Sequence, residues 1–245
     1  GAVTPARVQL AVLTDRYRAV LLGDLVTLVI LVGQAPLIGW LCAVVWGSVE
    51  DDTPSLWFVL ALSAVWFGCI NACREIVKER AILERERMFG LSLPAYVGSK
   101  LAVLAGLGFV QVVLLQLAVE WRIALRGPYL LETLALWLGC LAGTALGLVV
   151  SAIAARQERA VGAVPLLLLP QILFSEFAIP EDQFADVVAA AQKIMPVHWT
   201  YTVFEAAAAV EPDWGQVALG LVALPATTAA LALLTTALLL RRREV

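Results

Sequence analysis

The chain alternates long apolar stretches with short polar segments. A transmembrane helix needs about 20 mostly apolar residues, and six stretches come close to or exceed that length. They are residues 22–46, 55–72, 101–119, 130–154, 161–179 and 214–240. The pattern predicts an all-α membrane protein with six transmembrane helices.

The fifth stretch is interrupted by Pro165 and Pro170, which remove two backbone donors and kink a helix. Four leucines, residues 166–169, lie between the prolines and would surround the helix at mid-membrane. In a two-fold dimer such a run would form a hydrophobic gate. The alternative is a kinked, buried helix without a gate.

Polar residues inside predicted spans are costly and often functional. Two interpretations stay open for them: hydrogen bonds between helices, or the lining of a substrate path. The candidates for a path or gate are Asn71, Gln111, Leu166, Leu167, Leu168, Leu169, Gln171 and Phe174.

Three further segments are not spans. Residues 1–18 contain an amphipathic stretch, 5–18, which predicts a helix in the inner membrane interface. Residues 74–99 are rich in charge of both signs. Residues 180–213 carry apolar side chains at helical spacing and predict one or two short helices that dip into the outer leaflet. The six-span domain itself covers residues 19–245.

The charged segment predicts a water-exposed helix supported by ion pairs three and four residues apart. Its apolar residues, among them Ile76, Leu83 and Phe89, are too many for a solvated helix, so we expect a partner to cover them. The expected docking residues are the charged ones: Glu75, Lys78, Glu79, Arg80, Glu84, Arg85, Glu86 and Arg87.

The distribution of basic residues predicts the orientation. With the N-terminus inside, fourteen of the 17 Lys and Arg residues fall in cytoplasmic segments, and only Arg122, Arg126 and Lys193 fall outside. Cytoplasmic loops carry such an excess. We therefore expect a multi-pass protein of the cell's inner (plasma) membrane with both termini in the cytoplasm, and the high Ala, Leu and Arg content suggests a bacterial source.

Composition and motifs exclude several function classes. Hydrophobic residues make up 61% of the chain and charged residues 15%, far from the balance of a soluble domain. The sequence has no phosphate-binding loop and no zinc-binding motif, and its single histidine is His198. We expect no intrinsic catalytic site, no metal and no nucleic-acid partner. A membrane-embedded enzyme using Glu176, His198 and Glu205 is the weakest alternative.

The fourth stretch carries Gly139, Gly143 and Gly147, one helical turn apart. Small residues at this spacing let two helix backbones approach closely. The pattern predicts tight helix packing, and it leaves open whether the neighbour belongs to the same chain or to a second copy.

Three regions together resemble the type-2 ABC transporter permease family, and within it the G-subfamily-like exporters. The first is the run Lys78-Glu79-Arg80-Ala81-Ile82-Leu83-Glu84-Arg85-Glu86-Arg87, followed by Gly90-Leu91-Ser92 and by Tyr96, Ser99 and Lys100. The second is the stretch 165–180. The third is Met195-Pro196-Val197-His198-Trp199-Thr200-Tyr201 with Phe204-Glu205-Ala206.

The resemblance implies an architecture and a mechanism. Two permease copies would pair, and each would dock an ABC ATPase through a coupling helix matching residues 76–89, after a connecting helix matching residues 5–18. ATP and Mg would bind to the partner ATPase and not to this chain. The substrate, which is unidentified and expected to be apolar or amphipathic, would move by alternating access between the two copies.

The chain departs from G-type half-transporters because it carries no ATPase ahead of the permease. The ATPase is then expected on a separate subunit or on a part of the polypeptide outside this sequence. The runner-up hypothesis is a non-transporting membrane scaffold or sensor subunit with the same fold.

Overall fold

The computed structural model describes residues 5–48, 53–175 and 186–241. These residues form helices and no strands. The helices are α1 (Ala6–Gly23), α2 (Leu25–Trp46), α3 (Pro54–Ala72), α4 (Arg80–Met88), α5 (Leu93–Glu120), α6 (Tyr129–Ile153), α7 (Gln157–Leu173), α8 (Asp186–Gln192), α9 (Pro196–Ala208) and α10 (Trp214–Arg241). The all-α fold class is confirmed for this part of the chain.

Five helices are long and apolar enough to cross a membrane: α2, α3, α5, α6 and α10. They correspond to the first four predicted spans and the sixth. The fifth is incomplete, because α7 has 17 residues and the rest of its predicted span, 176–179, lies outside the described residues. The six-span layout therefore stays a prediction.

Helices α3 and α6 form the most deeply buried pair, and small residues allow their contact. A Cβ atom on Gly143 would collide with the Val65 carbonyl oxygen and lie 3.0 Å from Val65 Cα. One turn on, a Cβ on Gly147 would lie 2.6 Å from the Cys69 carbonyl oxygen, and one on Gly139 would meet the Thr200 side chain. All three predicted packing glycines thus face helices of the same chain.

The two ends of the bundle differ. We call the end where α1 and α4 lie the charged end. At this end α1 stops at Gly23, and Asp24 caps α2 by accepting a hydrogen bond from the Thr27 backbone N–H at 3.2 Å. Hydrogen bonding from Thr27, first from its side chain and then from its backbone N–H, lowers the pKa of the Asp24 carboxyl. The cap separates α1 from α2, and α1 extends five residues beyond the predicted end of the amphipathic stretch at residue 18.

The charged segment is not one continuous helix. After α3, the chain forms a turn and a short 3₁₀ helix, Val77–Glu79, before α4 begins at Arg80. The backbone N–H groups of Ile76 and Val77 donate to Ser151 Oγ, at 2.9 and 3.0 Å, and these side-chain bonds divert the chain from the α-helical path. Gly90, with φ of 89°, ends α4 and turns the chain into α5.

Helices α9 and α10 lie side by side in the half of the bundle away from the charged end. Helix α9 packs between α6 and α10. The Asp213 N–H donates to the Ala206 carbonyl at 3.1 Å, and Val203 lies against Gly220. These contacts align α9 antiparallel to α10, so that the α8–α9 connection points into the middle of the bundle.

Candidate functional site at the charged end

A buried group of charges joins the charged segment to α5. Lys100 is only 2% exposed, and its Nζ lies 2.7 Å from Glu79 Oε2 and 3.7 Å from Glu75 Oε2. Lys78 Nζ donates to Glu75 Oε1 at 2.6 Å. Two cations and two carboxylates therefore balance each other in what we call the Lys100 cluster.

Two tyrosines form the walls of the Lys100 cluster. The Lys100 ammonium lies 3.7 Å from the centre of the Tyr17 ring, which brings α1 into the group through a cation–π contact. Tyr96 donates its hydroxyl to Glu79 Oε2 at 3.1 Å. Burial and the neighbouring Glu75 carboxylate raise the pKa of Tyr17 far above its ordinary value, so this phenol stays neutral.

A second set of polar contacts fixes α1 against the end of α4. Arg16 binds Glu86 with both guanidinium nitrogens, at 2.5 and 3.3 Å. Gln9 accepts a hydrogen bond from the Ser92 N–H at 2.8 Å and donates to the Gly90 carbonyl at 3.4 Å. Helix α1 is thereby held to both sides of the turn at Gly90.

Two arginines of α4 bind the ends of other helices. Arg80 donates to the Ala154 carbonyl at 2.6 Å, at the end of α6. Arg87 donates to the Leu239 carbonyl at 2.8 Å, near the end of α10. Cationic side chains are favourable at helix C-termini, where carbonyl groups lack helical partners. Helix α4 is therefore attached to two spanning helices besides α5.

These contacts divide the eight predicted docking residues. Six of them bind inside the chain: Glu75, Lys78, Glu79, Arg80, Glu86 and Arg87. Glu84 and Arg85 stay exposed. The expectation that a partner must cover the whole apolar stripe is wrong for Ile76 and Leu83, which the chain buries itself, whereas Phe89 is 85% exposed.

An apolar groove lies between α1 and the end of α4, and the exposed Phe89 is part of its lining. Its volume is about 380 Å³. Its lining includes Val8, Val12, Leu13, Phe89 and Leu91. The surface at the charged end thus combines an apolar groove with the exposed charges of Glu84 and Arg85.

The deeper predicted path residues belong to a separate polar network. Asn71 Nδ2 donates to Gln111 Oε1 at 2.6 Å, and Gln111 Nε2 donates to the Leu31 carbonyl at 2.7 Å. Both side chains are buried and link α2, α3 and α5. This geometry is the helix-to-helix bonding that the sequence offered as one of two interpretations.

Helix α7 separates two cavities. A groove of about 420 Å³ between α2, α3 and α7 is lined by residues including Trp66, Leu168 and Leu169. On the other side of α7, a cavity of about 460 Å³ includes Leu167 and Gln171 in its lining. The four predicted gate leucines therefore point in several directions within one chain, and Leu166 is 67% exposed.

Polar contacts tie the end of α7 to the outer helices. Gln171 Oε1 accepts a hydrogen bond from the Val197 N–H at 3.2 Å, and Gln192 Nε2 donates to the Phe174 carbonyl at 2.5 Å. Of the proposed enzymatic residues, Glu205 accepts from the Tyr201 hydroxyl at 3.2 Å and His198 packs against Trp199. Glu176 lies outside the described residues.

Sequence reasoning missed the most buried members of the site. Lys100 and Tyr96 were noted only as part of the family resemblance, and Arg16, Tyr17 and Ser151 were given no site role. One signal was available, because Tyr96 and Lys100 lie one helical turn apart where an apolar span begins. A lysine at that position needs an anion or a path to water.

Comparison with known proteins adds two findings. The model of the family described as ABC-2 type transporter matches residues 8–208. The chain is also 30% identical over 142 residues to the ABC transporter ATP-binding/permease protein Rv1747 of Mycobacterium tuberculosis. The match covers 55% of this chain and 16% of that protein, so the chain spans a small part of its relative.

Proposed function

This chain belongs to the ABC-2 type transporter family, and from that premise we propose that it is the membrane-spanning subunit or domain of an ATP-driven exporter. It works as a pair of copies, each coupled to an ABC ATPase that carries ATP and Mg. In the cell, the charged end faces the cytoplasm. The substrate moves between the two copies as their spanning helices rock.

The observation that carries this proposal is the surface beside α4. Met88 and Phe89 are 75% and 85% exposed next to the apolar groove, with Glu84 and Arg85 on the same short helix. On the cytoplasmic side these apolar side chains would face water, so a protein partner that covers them is favoured. An ABC ATPase is the partner that the family supplies.

The contacts behind this surface suit the transmission of movement. Helix α4 is bound to α6 through Arg80 and to α10 through Arg87, and Glu79, directly before α4, is bound to Lys100 on α5. A displacement of the docked ATPase therefore reaches three spanning helices through charged contacts. Rigid-body movement of packed helices is an established form of switching.

A second copy is proposed at the exposed face of α7. Leu166 and Leu169 are 67% and 48% exposed and lie beside the groove that α7 forms with α2 and α3. Pairing of two such faces would bring the grooves of both copies to one central path. Gln171 and Phe174 lie at the end of the same helix, and Asn71 and Gln111 brace the helices beside it.

We expect a charge exchange on α4 to uncouple the transporter. In the Glu84→Arg, Arg85→Glu variant, ATP-driven transport in reconstituted vesicles should fall about tenfold or more, because exposed charges complementary to a partner are reversed. The assay uses this chain together with its own ATP-binding domain or subunit. Thermal unfolding should be unchanged, since both residues are exposed.

The matched control exchanges another exposed pair on the charged end. Asp15 and Arg18 form an exposed ion pair on α1, at 3.3 Å, and neither residue lines the groove. Exchange of their charges should leave transport within about twofold, because exposed ion pairs contribute little. If both double variants keep full transport and ATPase binding, α4 takes no part in docking the ATPase. If the unmodified protein binds the ATPase but moves no substrate, the scaffold alternative is favoured.

Cysteine cross-linking tests the proposed dimer. In a variant lacking the native cysteines, Leu169→Cys should give a disulfide-linked dimer on mild oxidation, because a two-fold axis brings the same position of two copies together. The control is Leu233→Cys, on α10, where the leucine is 71% exposed and far from α7 along the chain. Equal cross-linking at both positions, or none at Leu169→Cys, would contradict the α7 interface.

A further inference from the structure

The connection between α8 and α9 lies near the middle of the bundle's thickness. Helix α10 has 28 residues, and at about 1.5 Å per residue it is about 42 Å long. Pro196 and Lys193 line the same cavity as Thr227, which is thirteen residues into α10 and so about 20 Å from its first turn. The Val197 N–H binds Gln171, which is at a similar depth when counted along α7 from the charged end.

Lys193 therefore lies near the middle of the bundle's thickness, although the sequence assigns its segment to the outer side. When the spanning helices cross a bilayer, that level falls within its apolar layer. A lysine side chain is too short to carry its ammonium from there to either surface. Ionisable residues at this depth are rare, and they mark paths of substrates or ions or pair with a counter-charge. The three residues 193–195 between the helices also leave backbone groups at a depth where protein or a polar cavity must shield them.

The cavity beside Lys193 has the size and composition of a ligand site. Its volume of about 460 Å³ falls in the range of about 300–1,000 Å³ for ligand pockets. The walls are mostly apolar and come from α6, α7, α10 and the α8–α9 connection, with Leu146, Leu167, Met195 and Leu231 among them.

The other polar side chains of this lining, Gln171 and Thr227, are hydrogen-bonded within the chain. Gln171 is bonded to the Leu167 carbonyl and the Val197 N–H, and Thr227 Oγ1 donates to the Ala223 carbonyl at 2.8 Å. Within the described residues, no carboxylate forms an ion pair with the Lys193 ammonium. The cavity thus presents one cation at the edge of an apolar volume.

We propose that this cavity binds an anionic lipid, with the phosphate group at Lys193 and an apolar chain against Leu146, Leu167 and Leu231. A lysine ammonium is a strong point-charge partner for phosphate, and the bilayer around α10 supplies the lipid. A phosphate at mid-membrane belongs to a lipid that is being carried across the bilayer. The inference therefore rests on the proposed function and names its substrate class. The path then uses both sides of α7.

The test measures binding to the purified chain in nanodiscs of zwitterionic lipid. The probes are hexadecyl phosphate and uncharged hexadecanol, which share a chain and differ in charge. Lys193→Gln should weaken binding of hexadecyl phosphate about tenfold or more, as expected for loss of a charge-assisted hydrogen bond. It should leave hexadecanol binding unchanged, and Lys193→Arg should restore most of the affinity for the phosphate.

Two further variants separate the site from general effects. Ala230→Phe fills the cavity and should weaken binding of both probes while the cation stays in place. Arg159→Gln, an exposed change at the charged end, should have no effect on either probe. The lipid site is overturned if the two probes bind equally, if neither binds, or if Arg159→Gln causes the same loss. It is also overturned if Lys193→Gln unfolds and Lys193→Arg does not recover binding.

ATP-driven transport is measured separately in the complete transporter. Binding that depends on Lys193, with no ATP-driven movement of the probe, would keep the lipid site and reject the exporter function. ATP-driven movement that Lys193→Gln leaves unchanged would keep the exporter function and reject the lipid site.

Discussion

Replacement of Lys100 by methionine is expected to destabilise the protein by about 3–5 kcal/mol, the cost of leaving a buried charge without its partner. Methionine has nearly the length of lysine and fills the space between Tyr17 and Tyr96, so packing changes little. Glu79 keeps only the Tyr96 hydroxyl among its described partners, and Glu75 loses one of its two cations. Both carboxylates then lie in a low-dielectric site with too little positive charge.

The measurement is equilibrium unfolding in detergent, with a double-mutant cycle. Adding Glu79→Gln to Lys100→Met should recover part of the lost stability, because removal of both partners of a buried pair costs less than removal of one. Lys78→Met is the control: its side chain is 31% exposed and it binds the same Glu75. A loss within about 1 kcal/mol is expected there. Equal losses in Lys78→Met and Lys100→Met would show that burial of the Lys100 cluster does not matter.

Lys100→Met should also weaken the coupling between ATP hydrolysis and transport in the proposed transporter. The Lys100 cluster connects the segment that leads to α4 with α5, so Lys100→Met should lower the number of substrate molecules moved per ATP hydrolysed. Under the proposed function, ATP hydrolysis belongs to the partner and should change less. A variant that keeps this ratio while losing stability would give the Lys100 cluster a structural role only.

The spans could be predicted because lipid imposes a simple rule on the sequence. About 20 apolar residues cross the hydrocarbon layer, and α2, α3, α5, α6 and α10 obey it without exception. The amphipathic helix before the first span and the presence of a charged helix after the second were predicted on similar local grounds. Helix α7 was harder to read, since its two prolines and short length divide the apolar run.

The role of each charge could not be predicted, because it depends on contacts between residues far apart in the chain. Glu79 and Lys100 are separated by a helix and a turn, Arg87 binds a carbonyl 152 residues away, and Arg16 binds Glu86 across 70. Sequence spacing indicated pairs within the charged segment itself. In the structure most of these charges contact other helices instead, and Glu84 and Arg85 are exposed.

The glycine pattern on α6 predicted a close contact between two helix backbones but did not identify the second helix. Close approach was the right physical reading, and Gly68 on α3 supplies the other half of the crossing. A Cβ on Gly68 would meet the Cys140 carbonyl oxygen and lie 2.8 Å from the Gly143 carbonyl carbon. Nothing in the spacing of α6 alone identifies α3, because small residues at four-residue intervals suit any close crossing.

Gly143→Ala is accordingly expected to destabilise the protein by about 1–3 kcal/mol, the usual cost of forcing an extra group into a packed core. The added methyl group meets the backbone of Val65, which cannot rotate away as a side chain would, so α3 and α6 must separate. Gly106→Ala on α5 is the matched control, since nothing lies within 4 Å of its Cβ position. Gly106→Ala should leave the free energy of unfolding unchanged or raise it, because alanine favours a helix over glycine by up to about 1 kcal/mol. Thermal unfolding of both variants in the same detergent measures the difference. Equal stability of Gly143→Ala and Gly106→Ala would mean that α3 and α6 are not in backbone contact, and the fold described for their crossing would be wrong.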